Sequence, residues 1–377
     1  MSLIKNRFTL MLKNEPLVRV DIDRMECEHV GPESKYPLSL RGIARKRNLS
    51  VADMVTWVRR RMTASYRPNY EAIVNCGGFM KHNRVIEWAI ISKALSLTDS
   101  YWLKYSSDES WDEVKLFSGR FDMTYARAAW TGKEEMARTS MSPEFTTQGR
   151  MLKCWTSETG GIFLNKGAAT IEQINITKQE VAASKCLEWL DAGAAKYRYG
   201  KLFGSSASVC KNLATEDVSI VSLKEYIEYI AELNNLEPNS KGEYDVDIFE
   251  LIPEKEHEKV YKCIIGDYIV GNIGRNFSNI GFFVDNNTGG LTEMHPTLDY
   301  SYSLLGTGGE PSMFMQDTTM KKAARIAKRK LNSGFNITEF EKMMYSAETK
   351  KTFRLLFVSE KQYLGVIERY EAFMKMK

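Results

Sequence analysis

Apolar and polar residues alternate through the opening stretch MSLIKNRFTLMLKNEPLVRVDID, with charges throughout. This period of two predicts strand rather than a signal peptide. Further on the period lengthens: Met54, Trp57, Val58 and Met62 recur at helical spacing. Ser50 stands where it caps that helix, and Asp53 lies near the positive end of its dipole. Residues 83–97, NRVIEWAIISKALSL, predict a second helix. Together these elements predict a small α+β domain over residues 1–131. The polar stretch GKEEMARTSMSPEFT, residues 132–146, contains Pro143 and reads as a linker.

From Thr147 the pattern changes. LKCW, the turn SETGG and IFLNK predict a hairpin ending at Lys166. Thr177 opens a helix, KQEVAASKCLEWLDAG, that Gly193 is suited to stop. Strand-like LFGSSASVCKNL and SIVSL follow, and then LKEYIEYIAELNN reads as helix. Val260, Ile264, Ile265, Tyr268 and Ile269 fall on one helical face just before a polar loop at 271–279. A strand pair, IGFFV and LTEMH, surrounds the turn DNNTGG and leads to Asp299. Helices around MKKAARIAKRKL, TEFEKMMYS and KQYLGVIERYEAFMKMK complete the chain. The order predicts a β-rich small lobe over 147–223 and an α-rich large lobe over 224–377. The expected class is α+β, with a two-lobed kinase-like arrangement around a nucleotide cleft and an N-terminal accessory domain.

Composition narrows the classes. The chain has 377 residues, 43% hydrophobic and 27% charged, as in ordinary globular protein. No apolar run approaches the roughly 20 residues of a membrane helix, so no membrane partner is expected. Six scattered cysteines without a CxxC pair and four distant histidines argue against structural zinc and fit reduced thiols in a cytoplasmic setting. A net charge of +4 does not diagnose nucleic-acid binding.

Phosphoryl transfer needs cations on the phosphates, oxygen ligands on the metal and an oriented nucleophile. Lys166, at a strand end, is placed to reach phosphates, although a strand-end lysine is equally suited to solvent. Glu180 is placed to pair with Lys166, but Thr177 and Glu180 also have the T-x-x-E spacing of a capping box. Asn279 and Asp299 flank the predicted hairpin, which returns the chain to near its start. One amide oxygen and one carboxylate suffice for magnesium, which keeps several waters. The alternative is an Asx turn at Asn279 and a cap at Asp299.

The block GDYIVGNIGRNFSNIGFFVDNNTGGLTEMHPTLDYSYSL resembles the catalytic region of HipA-like serine/threonine kinases. That family's loop reads N-x-D-R-H-x-x-N-x-G-F, followed by a hairpin and a metal-binding Asp. The stretch PEFTTQGRMLKCW…IFLNKG…QEVAAS resembles the family's phosphate loop, strand Lys and helix Glu. The resemblance implies ATP and Mg2+ as ligands. It assigns Gly149, Lys153, Lys166 and Glu180 to the nucleotide, and Asn279 and Asp299 to magnesium.

The departures fall at the chemistry. Gly274 stands at the place of the base Asp, Asn276 at that of the His, and Tyr300 at that of the Asn after the metal Asp. Loss of a positioned base costs about 10²–10⁴ in rate. Arg275 has no acceptor atom to serve as base, and Asp285 lies away on the hairpin turn. The resemblance therefore implies a degenerate kinase that binds ATP and Mg2+ and acts through a protein partner in a toxin–antitoxin or phage–host setting. The alternatives are an active kinase with a translation protein as substrate, or a nucleic-acid-binding regulator. The last would use basic clusters at Arg45–Arg47 with Arg59–Arg61, or at Lys321, Lys322, Arg325, Lys328, Arg329 and Lys330.

Overall fold

A computed structural model describes residues 6–78, 85–168, 171–240, 242, 244, 246–304, 312–331, 334–355 and 359–376. The chain forms two compact units, each assembled from separate segments. The first comprises Met1–Asn165, Asn212–Asp245 and Gly281–Glu293, and the second Lys166–Lys211, Val246–Ile280 and Met294–Lys377.

In the first unit the alternating opening stretch folds as an antiparallel hairpin, Arg7–Leu12 with Glu15–Asp21. Strands Glu26–His29 and Tyr101–Lys104 extend it on either side into a four-stranded sheet. Leu10, Leu17, Val18 and Leu103 are fully buried against Met54, Trp57 and Val58 of the helix Val51–Arg61. That helix starts where expected, with a complete capping box between Ser50 and Asp53, and Met62 lies just past its end.

The second helix departs from expectation. It covers Val85–Ser92, residues 83–84 falling outside the described ones. It stops because Lys93 and Ala94 take φ of 51° and 52°. The Lys93 carbonyl then accepts the Leu103 N–H at 2.8 Å instead of continuing the helix.

The stretch read as a linker ends in a short 3-10 turn, Pro143–Thr146, with Pro143, Glu144 and Phe145 buried. The Glu144 carboxylate pairs with Arg67 and accepts the Trp155 N–H at 2.7 Å. Proline and a buried ion pair fix this end of the stretch, whereas residues 132–136 and 138–140 are exposed. Beyond it, Leu152–Glu158 and Gly161–Gly167 form the expected strands, turning at Gly160 with φ 102°.

Gly281–Asp285 is the central strand of a second sheet, between Val218–Ser222 and Leu291–Met294. Its turn is closed by the Asp285 carboxylate, which accepts the N–H groups of Asn287 at 2.7 Å and Thr288 at 3.0 Å.

In the second unit the helix expected from Thr177 runs from Ile171 to Leu190, starting well upstream. Thr177 and Glu180 are therefore interior positions, both 1% exposed, and the capping box is not formed. The helix ends before Gly193, since Asp191 already takes φ 54°. The single strand read at LFGSSASVCKNL is a hairpin, Tyr197–Leu202 with Ser205–Lys211, turning at Phe203 (φ 46°) and Gly204 (φ 86°).

The apolar face of the helix His257–Val270 buries Val260, Ile265, Tyr268 and Ile269, together with Val270. Of these, Ile265, Tyr268, Ile269 and Val270 pack with Ala182, Leu187, Phe340, Met344, Val366 and Tyr370 in one core. Each such large aliphatic side chain contributes about 1.5–3 kcal/mol by leaving water. Helices Ser312–Lys330, Ile337–Met344, Ala347–Leu355 and Glu360–Met374 form the tail. All six cysteines are free thiols, and no described helix is long and apolar enough to cross a membrane.

Candidate functional site

The second unit gathers Lys166, Glu180 and Asp299. Lys166 is 5% exposed, at the end of its strand, and its ammonium lies 2.7 Å from Glu180 Oε1 and 3.0 Å from Asp299 Oδ1. The Tyr197 ring sits beneath it, 5.3 Å away. Burial pulls the lysine pKa down, but the charges of Glu180, Tyr197 and Asp299 outweigh it and hold the pKa well above the usual value. Lys166 is therefore a fixed cation, not a strand-end lysine in solvent.

Glu180 is built into this place. Its Oε1 also accepts the Tyr300 N–H at 3.2 Å, and its Oε2 accepts the Ser208 hydroxyl. A buried carboxylate needs such partners on both oxygens. Asp299 is more open, with a side chain 36% exposed and a backbone φ of 61°. Its N–H donates to the Tyr197 hydroxyl at 3.2 Å, and its Oδ1 accepts the Ser301 hydroxyl at 2.7 Å. The local cap foreseen for Asp299 is thus present beside the ion pair, on the same oxygen.

Asn279 lies next to this group. Its carbonyl accepts the N–H of Leu298, the residue before Asp299, at 2.9 Å. The Asx turn considered for Asn279 is instead made by Asn276, whose Oδ1 accepts the Ser278 N–H at 2.9 Å. The Asn279 side chain is half-buried and makes no hydrogen bond among the described residues. That backbone bond brings the chain at Asn279 alongside the residue before Asp299, and an amide and a carboxylate are the hard oxygen donors magnesium takes.

Arg275 organises the loop. Its Nε and Nη2 donate to the two oxygens of Asp267 at 2.7 and 3.0 Å, and Nη1 donates to the carbonyls of Leu298 and of Asn279, the latter at 3.4 Å. Its guanidinium lies 4.9 Å from the Tyr300 ring centre. Burial opposes its charge, but Asp267 outweighs burial and keeps it protonated. From the sequence, Arg275 reads only as a poor base, and Asp267, Tyr197 and Ser208 do not stand out. Asp267 carries a signal: an acid inside the apolar run Ile264-Ile265…Tyr268-Ile269-Val270 calls for a cation, and Arg275 follows eight residues on, in the loop past the helix end.

Gly274 offers no proton acceptor. Its N–H donates to Asn272 Oδ1 at 3.1 Å, and Asn276 Nδ2 donates back to its carbonyl at 3.2 Å. Tyr300 is 1% exposed, with its hydroxyl on Thr297, so this side chain is structural. Gly149 and Lys153 lie in the first unit, where Gly149 takes φ 108° and the Lys153 ammonium rests against it. The positive φ is what favours glycine there.

The two basic clusters differ. In the first, Lys46, Arg47, Arg60 and Arg61 pair with Glu232, Asp53, Glu228 and Asp99. In the second, Lys328 donates to the carbonyls of Phe373, Met374 and Met376. Lys321, Lys322, Arg325 and Lys330 are exposed and make no ion pair among the described residues.

No family model matches this chain, and no curated protein matches it in sequence. Solved structures do. One is the HipA–HipB toxin–antitoxin system of Shewanella oneidensis with its operator DNA, at 9% identity over 97% of both chains with a TM-score of 0.51. Another is the Helicobacter pylori proinflammatory kinase CtkA, at 11% identity over 60% of this chain and 88% of that one, with a TM-score of 0.40. With 97% of both chains covered, the first likeness shows the fold: the chain has a mixed α and β, HipA-like kinase fold.

Proposed function

We propose that this protein is a HipA-like degenerate kinase that binds ATP with Mg2+ and transfers phosphate weakly or not at all. The observation that carries the reading is one cluster, in which Lys166 is locked between Glu180 and Asp299 while Asn279 lies beside them with its amide unused. Lys166 would hold a nucleotide phosphate, with Glu180 orienting it. Asn279 and Asp299 would hold the magnesium, which neutralises phosphate charge when bound. Gly149 and Lys153 are assigned to the phosphates on the resemblance of their loop. Gly274 leaves the acceptor hydroxyl's proton without a side chain to take it.

Such a protein acts by binding. Its setting would be cytoplasmic, as a regulatory or decoy partner of another protein in a toxin–antitoxin or phage–host context, with the first 131 residues as an accessory domain. Thermal shift with millimolar ATP, with and without Mg2+, tests the reading. The expected result is stabilisation that increases with Mg2+. No nucleotide-dependent shift would remove ATP from the account, and labelled phosphate on this protein or on lysate proteins would favour an active kinase instead.

The exposed cations Lys321, Lys322, Arg325 and Lys330 support a second reading, as a contact for nucleic-acid phosphates. Salt-dependent duplex DNA binding that is lost on neutralising these four residues would support it. Binding unchanged by those substitutions would dismiss it.

A further inference from the structure

Asn279 and Asp299 come from opposite sides of a long excursion. The chain leaves the second unit at Ile280, makes the hairpin that belongs to the first unit, and returns at Met294. Two ligands so separated in sequence hold a fixed spacing only if something local ties them together, because the intervening chain does not. Part of the tie is the hydrogen bond from the Leu298 N–H to the Asn279 carbonyl.

Arg275 supplies the rest. One guanidinium edge faces Asp267 through Nε and Nη2, and the remaining nitrogen, Nη1, reaches both the Asn279 and Leu298 carbonyls. Asp267 is itself fixed from the helix side: its Oδ1 also accepts the Asn272 amide at 2.9 Å, and it is 6% exposed. The Tyr300 ring covers the guanidinium face.

We infer that Arg275 is the positioning residue of the metal-holding half of this site. It sets the distance between Asn279 and Asp299 by gripping the backbone of Asn279 and of the residue before Asp299 from one rigid, charge-compensated fork. Lysine has no planar fork and cannot hold Asp267 and two carbonyls in these directions at once. This inference rests on the magnesium-nucleotide reading above. It also gives that reading a physical basis: the clasp that spaces the ligands needs nothing from position 274 or 276, so it persists where the proton acceptor has gone.

The test is a Mg2+ titration of the thermal shift at fixed millimolar ATP, read as the half-saturating Mg2+ concentration. Arg275→Lys is expected to raise that concentration about 10- to 100-fold, the usual effect of losing a group that orients a metal ligand. The shift given by ATP without Mg2+ should change less than about twofold. Asp267→Asn, a milder change that slackens the same fork, should move the midpoint in the same direction and serves if Arg275→Lys does not fold. Tyr370→Phe, which loses a 2.7 Å hydrogen bond to Glu341 elsewhere in the same core, is the control for general softening.

An unchanged Mg2+ midpoint in a folded Arg275→Lys protein overturns the inference while the reading stands. An equal change in Tyr370→Phe also overturns it. A wild-type protein whose ATP response ignores Mg2+ overturns the reading and the inference with it.

Discussion

A Cβ built on Gly274 would stand 2.9 Å from Cδ2 of Tyr302 and 3.0 Å from its Cβ. The position that the resemblance assigns to the base Asp is therefore closed by a tyrosine side chain, and not merely emptied of a carboxylate. Tyr302 is 56% exposed, so its ring can turn toward solvent, but its Cβ stays with the backbone and keeps the position tight.

Restoring the base thus takes two changes. Gly274→Asp alone is expected to yield little phosphoryl transfer, because the new side chain meets Tyr302. Gly274→Asp with Tyr302→Ser should exceed the single variant at least tenfold, within the roughly 10²–10⁴ that a positioned base supplies. Transfer of labelled phosphate to the protein itself or to lysate proteins measures both. Equal rates in the two variants would show that Tyr302 does not obstruct the position.

Lys166→Met strands the buried Glu180 carboxylate and should cost about 3–5 kcal/mol of unfolding free energy in urea. Lys166→Met with Glu180→Gln should regain much of that loss, because a neutral amide needs no counter-ion. A cost under about 1 kcal/mol for the single variant would mean that the pair is solvated.

Asp299 is predicted to behave in the opposite way. Its side chain is partly exposed and Glu180 still pairs with Lys166, so Asp299→Asn should cost much less stability than Lys166→Met while abolishing the Mg2+-dependent part of the ATP thermal shift. Asn279→Ala should do the same, since no described hydrogen bond depends on that amide. Retained Mg2+ dependence in both variants would place the metal elsewhere.

The Ser50–Asp53 capping box gives a pH dependence. The Arg47 hydrogen bonds, opposed by burial and helped by Ser50, pull the Asp53 carboxyl from its usual 3.8 down to about 2. A depressed carboxylate stabilises the fold fully above its unfolded pKa, and that contribution fades as pH falls through about 2. Asp53→Asn should therefore cost about 1 kcal/mol at pH 7. The gap between the wild-type and variant unfolding curves should narrow as pH falls from about 3.8 through about 2; a constant gap would deny the linkage.

Much of the site was legible because its residues sit on strongly patterned segments. Lys166 ends the second strand of a hairpin marked by SETGG, and Asn279 and Asp299 bracket a hairpin marked by DNNTGG. What the pattern hid was tertiary. The Thr177–Glu180 spacing reads locally as a capping box, yet the helix begins at Ile171 and the carboxylate turns to a lysine on a strand. Helix propensity at 93–97 likewise yields to the turn at Lys93 and Ala94, whose Lys93 carbonyl accepts the Leu103 N–H of a strand. Ser208 and Tyr197 carry no sequence signal of their own, since a serine and a tyrosine on a hairpin become partners of Glu180 and Asp299 only when the strand is placed. The obstruction of position 274 by Tyr302 is likewise a matter of packing, which no spacing reveals.

The most direct measurement is a calorimetric titration of ATP into the wild-type protein in the presence of Mg2+, repeated with Lys166→Met. The account predicts saturable binding by the wild type that weakens at least tenfold in the variant, from loss of one buried cation on phosphate. Absence of binding by the wild-type protein, or equal binding by both, would contradict it.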